Sequence, residues 1–214
     1  MSTNGLTNLG RRASRRRGQS GLSMVEVVIM LTVMTALTGV LAPAGMSMVQ
    51  QARELQVARE GGALRDAVLR MLVDSNRNSI RLGDGRGPRV DLLVSEGAVP
   101  DADGTQDARW LRTPDTSGTI DVLDHYLVQN APAGSAANAW PTPSSLESGG
   151  WRGGYVSSVP ASDPWGHRYA INVRYLDTRN DVIVLSAGAN GLIETPYEGR
   201  GLLPGGDDRA TLVR

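Results

Sequence analysis

The sequence has no cysteine and no lysine, and only two histidines. Without cysteine there is neither a disulfide framework nor a thiolate metal site. All 22 basic residues are arginine, which excludes lysine-based covalent catalysis. His125 and His167 stand in separate segments, and no Ser-His-Asp spacing, glycine-rich phosphate loop or zinc motif accompanies them. The chain therefore reads as a non-enzyme. Net charge is missing too, since 22 acids balance the 22 arginines, but the balance is uneven. Residues 1–21 hold five Arg and no acid, which leaves 17 Arg against 22 acids in the remainder. A mildly acidic body gives no support to nucleic-acid binding through phosphate neutralisation.

What is present begins with "LSMVEVVIMLTVMTALTGVLA", residues 22–42, an apolar run of 21 residues interrupted only by Glu26 and small hydroxyls. As a helix it would be roughly 30 Å long, the hydrocarbon thickness of a bilayer. The arginines before it predict a cytoplasmic N-terminus and an exported body. Three outcomes fit that layout. One is a signal peptide cut at Ala42-Pro43-Ala44, another an uncleaved anchor, and the third a leader removed ahead of the apolar run. A carboxylate inside such a run is rare and usually functional, because a charge in lipid costs several kcal/mol.

The stretch "GLSMVE" resembles the type IV prepilin motif. Gly21 stands before the cut, Leu22 after it, a hydroxyl follows, and Glu26 is the fifth residue of the mature chain. Pro43 becomes the twenty-second mature residue, where many pilin-like proteins carry a proline that interrupts the helix. The resemblance implies cleavage by a prepilin peptidase between Gly21 and Leu22, and N-methylation of Leu22. It also implies that Glu26 pairs with the new amine on a neighbouring subunit. Two unit charges at about 4 Å and an effective dielectric near 20 attract by about 4 kcal/mol before desolvation is subtracted. An unpaired buried charge is heavily penalised, so the pairing also favours one axial register.

After Pro43 an amphipathic helix is expected over residues 43–74, with Met48, Ala52, Leu55, Ala58, Gly62, Leu64, Val68 and Leu72 as its apolar stripe. Asp66 and Arg70 are spaced for an i,i+4 pair. Gly61-Gly62 should weaken the helix by about 2 kcal/mol and bend it. From residue 76 to 112, turn signals surround short apolar runs such as "VDLLV". "DADGTQD", 101–107, echoes a calcium loop but lacks the glycine and distant glutamate of an EF-hand, and reads as a solvated acidic turn. In residues 131–150, 15 of 20 positions are Ala, Pro, Gly or Ser, which indicates an exposed loop and not a core element. The strand material is C-terminal: "YAINVRYL" and "DVIVLSAG", with "DTRND" as a hairpin connection. Before them Asp163-Pro164 starts a turn in which Gly166 permits a positive φ.

"SDPWGHRYAINV" and "DVIVLSAGANGLIET" resemble the C-terminal sheet of the major pseudopilin of type II secretion systems. The middle of this chain is much longer than in that family. There the C-terminal loop commonly binds calcium through carbonyls and two Asp side chains. Carried over by position, Ala187 would give a carbonyl and Asn190 would stand where the first Asp usually is. Asp207 or Asp208 would supply the second carboxylate. The alternative is a Gly-rich turn closed by hydrogen bonds.

The expected fold is therefore α+β and pilin-like: a long N-terminal helix whose first half spans the membrane, packed on a small antiparallel sheet built mainly from the C-terminal third. Residues 1–21 are the leader, 22–42 the membrane and filament-core helix, 43–74 its exported half, and 75–214 the globular part. The resemblance implies a filament subunit of a type II secretion system, anchored in the inner membrane with its body in the periplasm. Its partners would be copies of itself, other pseudopilins, the prepilin peptidase and the inner-membrane assembly platform. Calcium is the one cofactor implied. A minor type IV pilin with an adhesive role, or a signal-peptide-bearing secreted protein, are the alternatives.

Overall fold

The computed structural model describes residues 23–83, 87–102, 107–115, 117–145 and 148–214. Helix α1 (Met24–Ser75) runs uninterrupted for 52 residues. Pro43 lies inside it and does not break it, contrary to the sequence expectation. The proline has no N–H to offer the Gly39 carbonyl one turn back, yet the turns on both sides stay helical. Gly61 and Gly62 are carried through as well. The helix stops where Asn76 adopts φ 52. Asn76 N–H donates to Val73 O (3.1 Å) and Arg77 N–H to Leu72 O (3.0 Å), the reciprocal pair that closes a helix with a left-handed residue.

The chain divides into two units, Met1–Met48 and Val49–Arg214. In the first, the described apolar side chains stand in the open, from Met24 (86% exposed) through Leu31 to Leu41. The second unit has a core and two sheets. Its larger sheet contains β1 (Leu92–Val94), β3 (Ile120–Val122), β4 (Ala170–Ile171), β5 (Ile183–Ser186) and β7 (Arg209–Leu212), in the order β3-β1-β4-β5-β7. A two-stranded sheet pairs β2 (Asp101–Ala102) with β6 (Leu192–Ile193). A short helix α2 (Leu123–Leu127) follows β3 directly.

The sheet is mixed, not antiparallel. The pairs β1–β4, β4–β5 and β5–β7 are antiparallel, but β1–β3 and β2–β6 are parallel. Residues 95–119 return to the starting end of β1 before β3 begins, a crossover that a tight hairpin could not make. The sheet is mainly C-terminal, as expected: three of its five strands come from the C-terminal third, and two come from the middle of the chain. The "LLV" of β1 is buried at every position, as a strand covered on both faces should be.

β4 and β5 pair antiparallel, as the expected hairpin requires, but residues 172–182 connect them in place of a short turn at "DTRND". The strand pattern of "YAINVRYL" ends after Ile171, and Val173–Tyr175 form a 3-10 turn. The reason is Asn172, which is fully buried. Its amide nitrogen donates to Asp181 O (3.1 Å) and Tyr197 O (2.9 Å), while its Oδ1 accepts from Ile183 N (2.8 Å). A side chain thus takes over bonds that a strand backbone would have made.

The helix face against the core is Val57, Gly61, Leu64, Ala67, Val68 and Met71. Leu64 and Val68 were on the expected stripe. Met48 (69%) and Leu55 (58%) were too, but both are exposed, as are Ala52 and Ala58. Asp66 pairs with its neighbour Arg65 (2.8 Å) instead of Arg70, a half-exposed contact worth little. Gly61 has a packing role: a Cβ there would sit 2.6 Å from Thr211 Oγ1, whereas one at Gly62 meets nothing within 4 Å. Gly62→Ala should therefore stabilise by up to about 1 kcal/mol through helix propensity. Gly61→Ala should melt below Gly62→Ala, by about 1–3 kcal/mol of overpacking. Adding Thr211→Ala should recover the difference in thermal melts; equal melts for the two single variants would mean that Thr211 simply moves aside.

Among the described residues of 131–150 the regular structure is two short 3-10 turns, Pro132–Gly134 and Ala136–Asn138, yet the segment contributes to the core. Trp140 is 2% exposed, donates its indole N–H to Arg81 O (3.0 Å) and stands edge-on to Tyr126 at 5.8 Å. Of the acidic stretch 101–107, Asp101 and Ala102 form β2, and Asp107 accepts from Arg109 N at the start of the 3-10 turn Ala108–Leu111. Its residues 103–106 lie outside the described residues.

Candidate functional site

Two regions carry the residues singled out from the sequence. The first is α1 at its N-terminal end. Gly21 and Leu22 lie outside the described residues. Glu26 occupies the first turn of the helix, where the unpaired backbone N–H groups favour a negative charge. Beyond it the helix hides its hydroxyls: Thr32, Thr35 and Thr38 each donate to the carbonyl four residues back, at 2.8, 2.7 and 2.8 Å. A polar group satisfied within its own helix can enter an apolar medium at small cost. An 18-residue window of α1 reaches a mean hydropathy of 2.1, long and apolar enough to cross a membrane by length and composition. Pro43 stands on the same helix and is exposed.

The second region is the turn after β5 and the segment leading into β7. Because β5 and β7 are antiparallel neighbours, Ser186 faces Arg209, and Ala187–Asn190 comes against Asp207–Asp208. Gly188 (φ 67) allows the approach: a Cβ there would lie 2.3 Å from Asp207 O. Asn190 N–H donates to Asp207 Oδ2 (2.9 Å), and Asn190 Oδ1 accepts from Leu192 N (2.7 Å). Asp208 is 1% exposed, and its Oδ2 accepts from Glu194 N (2.9 Å), Thr195 N (2.7 Å) and Thr195 Oγ1 (2.5 Å). Burial pushes the Asp208 carboxyl above its usual range, although these donors pull the other way. Ala187 is buried at the strand's end.

The four residues named for calcium thus meet around one turn, and two of them keep spare ligand capacity. Asp207 Oδ1 and Asp208 Oδ1 are both buried without a hydrogen-bond partner. Orphaned carboxylate oxygens are what a hard cation would use. Among the described residues no group of three or more His, Cys, Asp or Glu converges as a metal cluster, so carbonyl oxygens would have to complete the shell. Asn190 has its Oδ1 engaged already, and its Nδ2 donates to Glu194 Oε2 (3.2 Å). Sequence reading missed Glu194. Its signal is Gly205-Gly206, where a Cβ on Gly205 would lie 2.3 Å from Glu194 O.

Beside this turn, Asp163 forms the expected bend. Its Oδ1 accepts from Trp165 N (3.0 Å) and His167 N (2.9 Å), its Oδ2 accepts from Ser186 Oγ (2.6 Å), and Gly166 has φ 97. The ring of His167 fills the space above Gly191, as a packing residue would. His125 Nδ1 lies 2.6 Å from Asp121 Oδ1, but no Ser or Thr hydroxyl among the described residues is bonded to either imidazole. No family model matches the chain, and neither a curated protein nor a solved structure is significantly similar to it.

Proposed function

We propose that the chain is a structural subunit of a membrane-rooted, type IV pilus-like filament, and that the filament belongs to a type II secretion system. The observation that carries the proposal is Glu26: the one acid in an apolar run, set in the first turn of α1 and five residues after Gly21. Such a carboxylate is costly in lipid and becomes favourable once a neighbouring α-amine faces it. In this reading α1 passes once through the inner membrane with the arginines on the cytoplasmic side. The second unit is then exported, and the prepilin peptidase and assembly platform act on the helix. The turn around Asp207 and Asp208 holds calcium through their free oxygens and adjacent carbonyls, which tightens the junction between β5 and β7.

Intact mass and N-terminal sequencing of the chain recovered from membranes test the assignment. The expected mature start is Leu22 with one added methyl group. A mature start at Gly45 would identify an ordinary secreted protein and end the filament reading.

A further inference from the structure

The second unit is electrically polarised along its strands. β1 and β5 both run antiparallel to β4, so they share a starting end and a finishing end. At the starting end Arg174 meets Asp91 Oδ1 (2.6 Å) and Arg89 meets Asp177 Oδ2 (2.8 Å). Arg179 and Arg200 are held to the same end by the chain around Asp181, whose N–H donates to Gly199 O (2.8 Å). Both are exposed, and neither has an acidic partner among the described residues. With Arg214 they line a cleft of about 330 Å³. The one acidic side chain among the residues lining it, Asp181, is engaged by the N–H of Leu202 (2.8 Å).

At the finishing end the situation is reversed. Glu96 stands two residues past the end of β1, and Asp101 is tied there by its N–H bond to Gly191 O (2.9 Å). Both side chains are exposed and have no cationic partner among the described residues, and Val99 stands half-exposed between them. One unit therefore carries two unsatisfied guanidiniums at one end and two unsatisfied carboxylates at the other.

We propose that the Arg179–Arg200 cleft of one copy receives Glu96 and Asp101 of a second copy, in a head-to-tail contact that repeats from subunit to subunit. A heterologous contact of this kind does not close on itself and so generates an open filament. Guanidinium forks match carboxylates in two-point geometry, which fixes orientation as well as charge. Exposed pairs add little affinity one by one. Their effect here is to select register and to turn away neighbours that would set like charges together. The contact weakens with salt, because all four side chains are exposed and mobile ions screen such charges over a Debye length of about 8 Å at physiological ionic strength. The proposal rests on the filament reading only for the repetition of the contact.

The absence of cysteine makes the test clean. Full-length Asp101→Cys and Arg200→Cys chains, co-expressed and treated in membranes with a short thiol crosslinker, should give a covalent dimer. Glu96→Cys with Arg179→Cys should do the same, and a Met30→Cys chain reports helix proximity in parallel. The double variant Arg179→Glu/Arg200→Glu should lose about tenfold or more in assembly, and co-expression with Glu96→Arg/Asp101→Arg should restore it. Met30 crosslinks without any end-to-end product would overturn the contact and leave the filament standing. Loss of both products would overturn the filament as well. Full assembly by the Arg179→Glu/Arg200→Glu chain alone would also overturn the contact.

Discussion

Replacing Glu26 by leucine should leave the chain inserted and processed, but without filaments. The substitution makes the apolar run more apolar, so partition into the membrane can only improve. Assembly is a different matter. In the proposed filament the Leu22 ammonium of each neighbour loses its counter-charge, and a buried charge stranded by loss of its partner costs about 3–5 kcal/mol. That corresponds to roughly 10²–10³-fold or more in association at every contact. Glu26→Gln keeps an acceptor oxygen and should fall between the two. Crosslinking at Met30 reports the outcome. Wild-type crosslinking in Glu26→Leu membranes would remove the charge-pairing argument.

The second large effect is expected at Asp208. Asp208→Ala strands three donors, the N–H groups of Glu194 and Thr195 and the Thr195 hydroxyl, inside the fold. Unmade buried bonds of this kind cost about 1–3 kcal/mol each, and after local relaxation a total of about 3–5 kcal/mol is expected. For a unit of this size that lowers Tm by about 10 °C or more. The same residue decides the calcium question. If the free oxygens of Asp207 and Asp208 hold the ion, the wild-type chain gains RT ln(1 + [L]/Kd), about 2.7 kcal/mol at a hundredfold excess over Kd. It should then melt several degrees higher in calcium than in chelator, with magnesium a poor substitute because it demands tighter octahedral geometry. Asp208→Asn keeps an acceptor for the donors but should lose the calcium response. Identical wild-type curves in calcium and chelator would show a turn closed by its own hydrogen bonds.

What could be read from the sequence follows the range of the interactions. The apolar helix, the bend at Asp163 with its positive φ at Gly166, and the β5 run are all written in neighbouring residues, and each stands where it was expected. The parallel pairing of β1 with β3 was not legible, because a strand's own pattern says nothing of its partner's direction. The true start of the buried helix stripe was missed for a similar reason. Met48 and Leu55 are apolar, but only the helix from Val57 onward has core beneath it. Trp140 was hidden by averaging, since one large side chain among many small ones barely alters composition. Asn172 was counted inside the strand run "YAINVRYL", and its side chain in fact ends that strand. At the turn between β5 and β7, the residues that the resemblance names are ones the fold brings together. The free oxygens of Asp207 and Asp208 were not legible, because they depend on which donors the fold brings near.

The placement of β7 beside α1 bears on when this molecule can become itself. Arg209 reaches Glu54 (2.9 Å), and Thr211 settles against Gly61, so residues about 150 apart in the chain meet directly. β7 also completes the sheet by pairing with β5. A chain emerging N-terminus first therefore has its helix long before it has the strand that packs beside it. Contacts so distant in sequence also form slowly once both parts are available. The face of α1 around Gly61 therefore stays uncovered until residues 209–212 arrive, and the second unit cannot close before they do.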